Sequence, residues 1–282
     1  MTREHKIAML RLAKELTGHN ELTNLIETSK KLDQYLDQDT EIKPISSSLR
    51  EFINSGVMIP HIRGYPFDKE FVPYVPHDYL LDMADKLCEP QSQAVISSLH
   101  LGIDLMVNLY ILWTAMSKSN QSIMVMNTPQ SQACLDLVNI YELWTNYTGA
   151  KTFCSMEGKN TIRFDNGSMI IGKAAKGVIG RGTTLTHLVF HNAASISYSE
   201  ADELDLALQP MLCNGGKILV TGLPAEPVGY FYNAVQSGKF EVLRYPWYVH
   251  PDRDVEWEKM IRNGMSEREW RREYECEFVG RQ

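Results

Sequence analysis

The chain has 282 residues, of which 44% are hydrophobic and 22% charged, a balance typical of globular proteins. This length accommodates one large domain, or one domain with a helical appendage. The net charge of -7 argues against a broad, non-specific grip on nucleic acid, which requires a basic surface, although it does not exclude a local basic patch. The five cysteines are scattered, which favours free thiols in a reducing compartment.

The N-terminal region is predicted to be a helical appendage. Apolar residues recur with helical spacing over residues 3–38 and are interrupted by Thr17-Gly18-His19-Asn20, which indicates two helices. Such a pair could dock a partner, but a packing appendage is the favoured interpretation. We therefore assign residues 1–45 to the appendage and 46–282 to the main domain. A short helix at 47–55 and an irregular segment rich in proline and aromatic residues, 58–76, open that domain.

From residue 76 onward, helices and strands are predicted to alternate. The helices fall at 76–88, 102–117, 129–147, 199–212 and 229–237, and one long helix is expected at 255–275. The strands fall at 93–97, 122–126, 186–190, 217–221 and 240–245, with a hairpin at 161–171 in which Asn166 and Gly167 should both adopt positive φ. This alternation predicts an α/β domain with a mostly parallel sheet covered by helices on both faces. The longest apolar stretch, near residues 105–113, is too short to span a bilayer, so no membrane contact is expected.

The strand at 186–190 is short, consists of apolar or β-favouring residues, and is predicted to be fully buried in the centre of the sheet. In nucleotide-binding α/β proteins, carboxylates at the end of such a strand hold magnesium and prime a water molecule. Here His191 and Asn192 occupy that end, and both are poor ligands for magnesium. His191 could act as a base, but a structural histidine is favoured. Because roughly 13 Å of strand separates His187 from His191, they cannot share a zinc ion, and no metal site is predicted.

The loop after the strand at 93–97 has the position of a phosphate-binding loop without its chemistry. Its residues are Ser98, Leu99, His100, Leu101, Gly102, Ile103 and Asp104. A phosphate-binding loop should end in Gly-Lys-Ser or Gly-Lys-Thr, because the lysine contacts phosphates and the hydroxyl binds magnesium. Ile103 and Asp104 occupy those two positions, and the carboxylate of Asp104 would repel phosphate.

These loops resemble, in order and spacing, the ATPase domain of phage large terminases, the motors that package DNA, and most closely the T-even type. The resemblance covers about residues 52–280 and implies a P-loop NTPase fold of the ASCE type. The segments that carry it are Tyr79-Leu80-Leu81-Asp82-Met83, the loop 98–104, Phe164-Asp165-Asn166-Gly167-Ser168, Gly180-Arg181-Gly182, Leu188-Val189-Phe190-His191-Asn192-Ala193-Ala194, Ile218-Leu219-Val220-Thr221-Gly222-Leu223-Pro224 and the final segment 270–280.

The departures from the family pattern all affect ATP and magnesium. Leu80 stands where the family has the glutamine that contacts adenine. Leu99, Ile103 and Asp104 replace the arginine, lysine and threonine of Walker A. His191 and Asn192 replace the acids of Walker B. The coupling motif, Thr221, Gly222, Leu223 and Pro224, retains its threonine and proline, and Arg181 matches an arginine of the family.

The resemblance therefore implies a phage-encoded pseudo-ATPase in the host cytoplasm, with weak or absent binding of ATP and magnesium and no catalytic residue intact. It would act on partners such as terminase subunits or the portal, in a regulatory, structural or decoy role, and could form homo- or hetero-oligomers. The sequence also stops about where the family continues into its nuclease domain, so no DNA cleavage is expected. Arg181 is interpreted as a surface arginine, or as an arginine finger that completes a neighbouring subunit.

Two other functions remain open at the level of sequence. The first is a divergent ATPase that uses relocated groups such as Lys173, Lys176 or Arg181. The second is a nucleic-acid-binding module, against which the net charge counts.

Overall fold

A mixed sheet of eight strands forms the centre of the domain. The computed structural model describes residues 45–61, 70–175, 184–196, 204, 208–212 and 214–280, and the two helices predicted over residues 3–38 lie outside these ranges. The strands are β1 Met58–His61, β2 Glu70–Pro73, β3 Gln93–Ser97, β4 Ser122–Asn127, β5 Cys154–Glu157, β6 Thr161–Phe164, β7 Met169–Ala174, β8 His187–Phe190, β9 Lys217–Gly222 and β10 Glu241–Tyr245. Their order in the large sheet is β10-β3-β9-β8-β4-β7-β6-β5, and β1 and β2 form a separate antiparallel pair.

The predicted, mostly parallel sheet is confirmed. Strands β10, β3, β9, β8, β4 and β7 pair in parallel, and the hairpin strands β6 and β5 extend the sheet antiparallel. β8 lies inside the sheet, where Val189 pairs with Val125 of β4 and with Leu219 of β9. Its side chains Leu188, Val189 and Phe190 are fully buried, as the unbroken apolar run predicted.

Apolar side chains cover both faces of the sheet, because successive residues of a strand point to opposite sides. Along β4, Ile123 and Val125 pack into one core cluster, whereas Met124 and Met126 pack into the other. The helices are α1 Leu49–Asn54, α2 Asp78–Leu87, α3 Ile103–Ser117, α4 Gln130–Asn146, α5 Tyr230–Gln236, α6 Val255–Arg262 and α7 Glu267–Glu273. Helices α1 to α4 contribute to the first cluster and α5 to the second. None of the helices in the described ranges has the length and apolarity needed to cross a bilayer.

Helix α3 is the element that connects the sheet core to the loop 98–102. It begins after Gly102, which adopts a positive φ of 77°, and it is buried on nearly every side. A helix that is apolar all round is expected to lie inside a protein rather than on its surface. At its other end, the side chain of Asn166 donates hydrogen bonds to the carbonyls of Ala115 and Met116, which lack partners within the helix.

The turn of the β6–β7 hairpin differs from the prediction. Gly167 has a φ of +83°, but Asn166 is not among the residues with positive φ. The Gly167 amide donates to the Phe164 carbonyl, and the Phe164 amide donates to the Ser168 carbonyl. The connection is therefore a three-residue turn in which the glycine alone is left-handed. Asn166 is held outside the left-handed region because its side chain caps α3.

The prediction of one continuous C-terminal helix over 255–275 is also wrong. It is two helices, α6 and α7, separated at Gly264, which has a φ of +93°. Ser266 and Glu269 form a capping box that starts α7 anew, so local capping overrides the apolar periodicity.

Smaller differences concern helix starts and short strands. Pro76 precedes α2 rather than beginning it, since His77 is the N-cap. Strands β1, β2 and β5 were not predicted. Of the helix predicted at 199–212, the described part includes the 3-10 turn Gln209–Leu212, and the rest of that segment lies largely outside the described residues.

Candidate functional site

A cleft of about 660 Å³ lies at the carboxyl edge of the sheet, where ligands of α/β proteins bind. It brings together most of the residues that the sequence singled out, although they come from three separate segments. The lining includes Ser98, Leu99, His100, Leu101, Gly102, Ile103 and Asp104 from the first segment, His191 and Asn192 from the second, and Thr221, Gly222 and Leu223 from the third.

Some of the predicted positions lie elsewhere. Leu80 is buried in the first core cluster and does not line the cleft. Pro224 follows the lining residues of the coupling motif and is itself buried. Arg181 and Lys176 lie outside the described residues. Lys173, one of the relocated groups considered for a divergent ATPase, is an exposed residue of β7 and does not line the cleft.

The loop 98–102 is held by the protein itself. The Ser98 amide donates to the Tyr245 carbonyl at 2.8 Å, and the Leu99 amide donates to the Glu273 carbonyl at 3.2 Å. A phosphate-binding loop works by pointing its amides at the ligand. These two amides are therefore already committed within the fold.

Two side chains from outside the loop bind its carbonyl groups. The hydroxyl of Tyr79 donates to the Leu101 carbonyl at 2.7 Å. The guanidinium of Arg253 donates to the carbonyls of Leu99 and His100 at 2.9 and 3.0 Å. Its guanidinium also lies over the Trp257 ring at 4.6 Å. These contacts connect the loop to α2 and to the segment that precedes α6.

The side chain of Ile103 packs into the core, although the residue borders the cleft. Its side chain is 5% exposed and belongs to the apolar cluster that contains α3. In a phosphate site this position supplies the cation that meets the phosphates. Here it supplies packing, and it offers a phosphate group no charge.

Asp104 and His191 face each other across the cleft. Asp104 stands in the first turn of α3, and its Oδ1 lies 3.6 Å from Nδ1 of His191 at the end of β8. The Asp104 side chain projects into the open cleft and is 84% accessible. The His191 side chain is buried. Hydrogen bonding to the imidazole, although long, lowers the pKa of the Asp104 carboxyl below its usual value, and charge attraction adds to the effect. The carboxylate is therefore ionised at neutral pH.

Asn192 has a structural reason to occupy its position. Its φ and ψ are 53° and 45°, in the left-handed region, and it is the N-cap of the 3-10 turn Ala193–Ser195. Asparagine enters this region more readily than most residues. Its carbonyl accepts a hydrogen bond from the Ser195 amide. The residue thus turns the chain away from the strand end.

Four buried polar atoms on the wall of the cleft have no hydrogen-bond partner among the residues that the structure describes. They are Oδ1 of Asn108, Oγ1 of Thr128, Nε2 of His191 and Oγ1 of Thr221. Burying such an atom unpaired typically costs about 1–3 kcal/mol. The cleft wall is therefore not optimised for stability in the way that the two apolar cores are.

The sequence prediction considered only the loops that follow strands, and it therefore did not include the side of the cleft that α4 forms. Asn127 ends β4, and its side chain donates to the Asp136 carboxylate at 2.8 Å. Gln132 and Asn139 of α4 join them in the lining. Two signals were available in the sequence: Asn127 follows a buried strand at the same edge, and Gln132 and Asp136 share one helix face at a spacing of four residues.

The lining does not fit ATP with magnesium. Among the cleft-lining residues that the structure describes there is no lysine or arginine, and two of them, Asp104 and Asp136, are acids. Triphosphate needs cations or free amides. Magnesium binds carboxylates and phosphate oxygens, but here the acid next to the strand tip is in contact with a histidine.

The fold is similar to that of large terminase ATPase domains. No family model and no curated protein matches the sequence. The ATPase domain of the Thermus phage P74-26 large terminase superposes with a TM-score of 0.57 at 20% identity, over 73% of this chain and 95% of that domain.

Two further solved structures share the fold. The large terminase of a thermophilic bacteriophage matches with a TM-score of 0.54 at 12% identity, over 68% of this chain and 50% of that protein. That large terminase has also been solved in complex with ADP. The HK97 bacteriophage large terminase matches with a TM-score of 0.54 at 13% identity, over 74% of this chain and 45% of that protein. The described domain thus has the fold of a phage large terminase ATPase domain.

Proposed function

We propose that this protein is a terminase-like phage protein associated with DNA packaging, which acts through protein interactions and not through ATP hydrolysis. The observation that carries the proposal is the contact between Asp104 and His191 at 3.6 Å, in the place where the family resemblance sets the magnesium site. A carboxylate that repels phosphate and an imidazole that is a poor ligand for magnesium stand there in place of the groups that would hold ATP and magnesium.

Electrostatics support the loss of nucleotide binding. A unit negative charge at Asp104 would lie in the first turn of the helix at whose start the phosphates bind in the family. At about 4 Å, two like charges repel by roughly 1 kcal/mol in water and by roughly 4 kcal/mol at an effective dielectric constant of about 20, and the exposure of Asp104 places the repulsion towards the lower value. The lysine that would outweigh this repulsion is replaced by Ile103, which is buried. Loss of one oriented partner of this kind typically costs about a hundredfold or more in rate.

The partners that we propose are terminase subunits or the portal of the packaging machine, in the host cytoplasm, in a regulatory, structural or decoy role. A protein that keeps the motor fold without its chemistry can still occupy the surfaces that the motor uses. Three of the five basic side chains of α6 and α7 are already paired within the protein, which does not favour DNA as the main partner. Arg262, Arg271 and Arg272 each pair with a glutamate.

Two measurements test the proposal. The first is binding of a fluorescent ATP analogue, with and without magnesium, to the full chain. We expect no saturation at micromolar concentrations, and micromolar affinity would overturn the pseudo-ATPase assignment. The second is capture of the tagged protein from infected cells. Recovery of portal or terminase subunits is expected, and recovery of host defence proteins instead would contradict the packaging role.

A further inference from the structure

Three potential metal ligands meet outside the cleft, at the junction of α2 with the C-terminal segment. They are His77, His250 and Asp252, and their ligand atoms all lie within 4.8 Å of one another. His77 is the N-cap of α2, and His250 ends the 3-10 turn Trp247–Val249. The two imidazole rings are 4.5 Å apart between centroids and inclined by 64°. From this geometry we propose that His77, His250 and Asp252 bind one zinc ion.

The donor set and its spacing suit zinc. Zinc takes histidine nitrogen and carboxylate oxygen at about 2.0–2.2 Å, so two donors of a tetrahedral site lie about 3.4 Å apart. The ligand atoms of the three groups, which lie within 4.8 Å of one another, therefore need to approach by up to about 1.4 Å. Asp252 is exposed and the two histidines are half-buried, so side-chain rotation provides that movement. A fourth position then remains for water, as in zinc sites with three protein ligands.

The charges of the donor set also suit a divalent cation. Zinc binds histidine as the neutral imidazole. Asp252 supplies a carboxylate, whose negative charge partly compensates for the charge of the ion.

The cost of binding is one hydrogen bond. Nδ1 of His250 accepts a hydrogen bond from the Asp252 amide at 3.2 Å. Coordination through Nδ1 replaces that bond, and coordination through Nε2 requires a proton on Nδ1, which also breaks it. Arg253 does not occupy the site, because its guanidinium is committed to Ser98, to the carbonyls of Leu99 and His100, and to the Trp257 ring.

A zinc ion here would link the start of α2 to the segment before α6. Tyr79, two residues after His77, and Arg253, next to Asp252, are the side chains that hold the carbonyls of the loop 98–102. Zinc would therefore stabilise the rim of the cleft without entering it. The inference does not depend on the proposed function, since it concerns ligands that the cleft does not use.

The test is metal binding by the full chain, prepared without a histidine tag and freed of metal with a chelator. Calorimetric titration with zinc should give one ion per chain, and cobalt(II) should give the strong visible absorption of a four-coordinate site. His250→Ala and Asp252→Asn should weaken zinc binding about tenfold or more. His100→Ala, an exposed histidine of the nearby loop, should bind zinc as the wild type does.

Two results would overturn the proposal. One is the absence of zinc binding by the wild-type chain at micromolar concentrations. The other is unchanged binding in both His250→Ala and Asp252→Asn. If circular dichroism shows that His250→Ala does not fold, Asp252→Asn decides the question, because this exposed side chain can change without loss of packing. Thermal melting provides a second readout, since zinc should raise the Tm of the wild type and not that of Asp252→Asn.

Discussion

The carboxylate of Asp104, in the first turn of α3, lies 3.6 Å from the imidazole of His191 at the tip of β8. In the family that the sequence resembles, the first position carries a hydroxyl and the second an acid. Relative to that family, the negative charge stands at the start of the helix rather than at the end of the strand. At the start of the helix, the macrodipole and the histidine stabilise the carboxylate. The proposed loss of magnesium and phosphate binding rests on this placement of the charge.

A double-mutant cycle measures what this contact contributes. We expect Asp104→Asn and His191→Gln to show a coupling free energy of at most about 1 kcal/mol at pH 7, because the carboxylate is open to solvent and the separation is long. Urea unfolding of the wild type, the two single variants and the double variant provides the measurement. A coupling of about 3 kcal/mol or more would indicate a desolvated ion pair, contrary to the exposure of Asp104.

Restoring two family residues should not restore an enzyme. In the variant Ile103→Lys with Asp104→Thr, we expect no ATP turnover above background, because His191 and Asn192 still occupy the positions of the acids. We also expect a loss of about 1–3 kcal/mol in unfolding free energy, because Ile103 is buried in the core. Phosphate release and urea unfolding are the assays.

Leu135→Lys is the matched control for that experiment, because Leu135 is 49% exposed on α4. Its stability should stay within about 0.5 kcal/mol of the wild type. Measurable turnover by the restored variant would show that the strand tip does not need its acids, and would favour the divergent ATPase over the pseudo-ATPase.

Arg253 should matter more for stability than its position in a loop suggests. Its removal in Arg253→Ala breaks hydrogen bonds to the carbonyls of Leu99 and His100, and we expect a loss of about 2–3 kcal/mol. Arg253→Lys should recover little, because an ammonium lacks the planar fork that joins two carbonyls and stacks on Trp257. The exposed Arg163, which pairs with Glu157, serves as the comparison. If Arg163→Ala and Arg253→Ala destabilise equally in urea unfolding, the anchoring role is wrong.

The sequence predicted the sheet well because its strands are short, apolar and separated by helical periodicity. It also predicted which loops meet, since the carboxyl ends of parallel strands share one edge. It could not predict that Ile103 packs inward, or that Asp104 and His191 come within contact distance, because both depend on the rotation of α3 against the sheet. The contribution of α4 to the cleft depends on the same tertiary packing. The contact between the His77 and His250 rings joins segments that are distant in the chain, and no local sequence pattern indicates such a contact.

Two glycines with nearly the same φ allow the cost of a left-handed backbone to be measured separately from the cost of crowding. Gly167 and Gly215 have φ values of +83° and +82°. A Cβ on Gly167 would lie 2.3 Å from Oδ1 of Asn120, whereas a Cβ on Gly215 would meet no atom of the described residues within 4 Å. We expect Gly215→Ala to cost about 1–2 kcal/mol from the left-handed backbone alone. Gly167→Ala should cost about 1 kcal/mol more, since Asn120 must move. Equal losses in urea unfolding would show that Asn120 yields freely.

His187 should make the protein sensitive to mild acid. Burial lowers the pKa of its imidazole to about 4, with smaller contributions from Lys118 and Lys217, whereas the ordinary value is about 6.5. Between these two pH values the unfolded chain binds a proton that the folded chain does not. The unfolding free energy therefore falls as pH decreases from about 6.5 towards 4, by at most about 3 kcal/mol from this residue.

The measurement is urea unfolding from pH 7 to 4.5 for the wild type and for His187→Gln, whose amide can keep the contact that Nδ1 makes with Thr186 Oγ1 at 3.1 Å. The variant should lose less stability on acidification than the wild type does. His100→Gln, which removes an exposed histidine, should follow the wild-type profile. Parallel profiles of unfolding free energy against pH for the wild type and His187→Gln would contradict this prediction. They would mean that the His187 imidazole accepts a proton in the folded protein and has access to water, which its packing against Tyr110 does not provide.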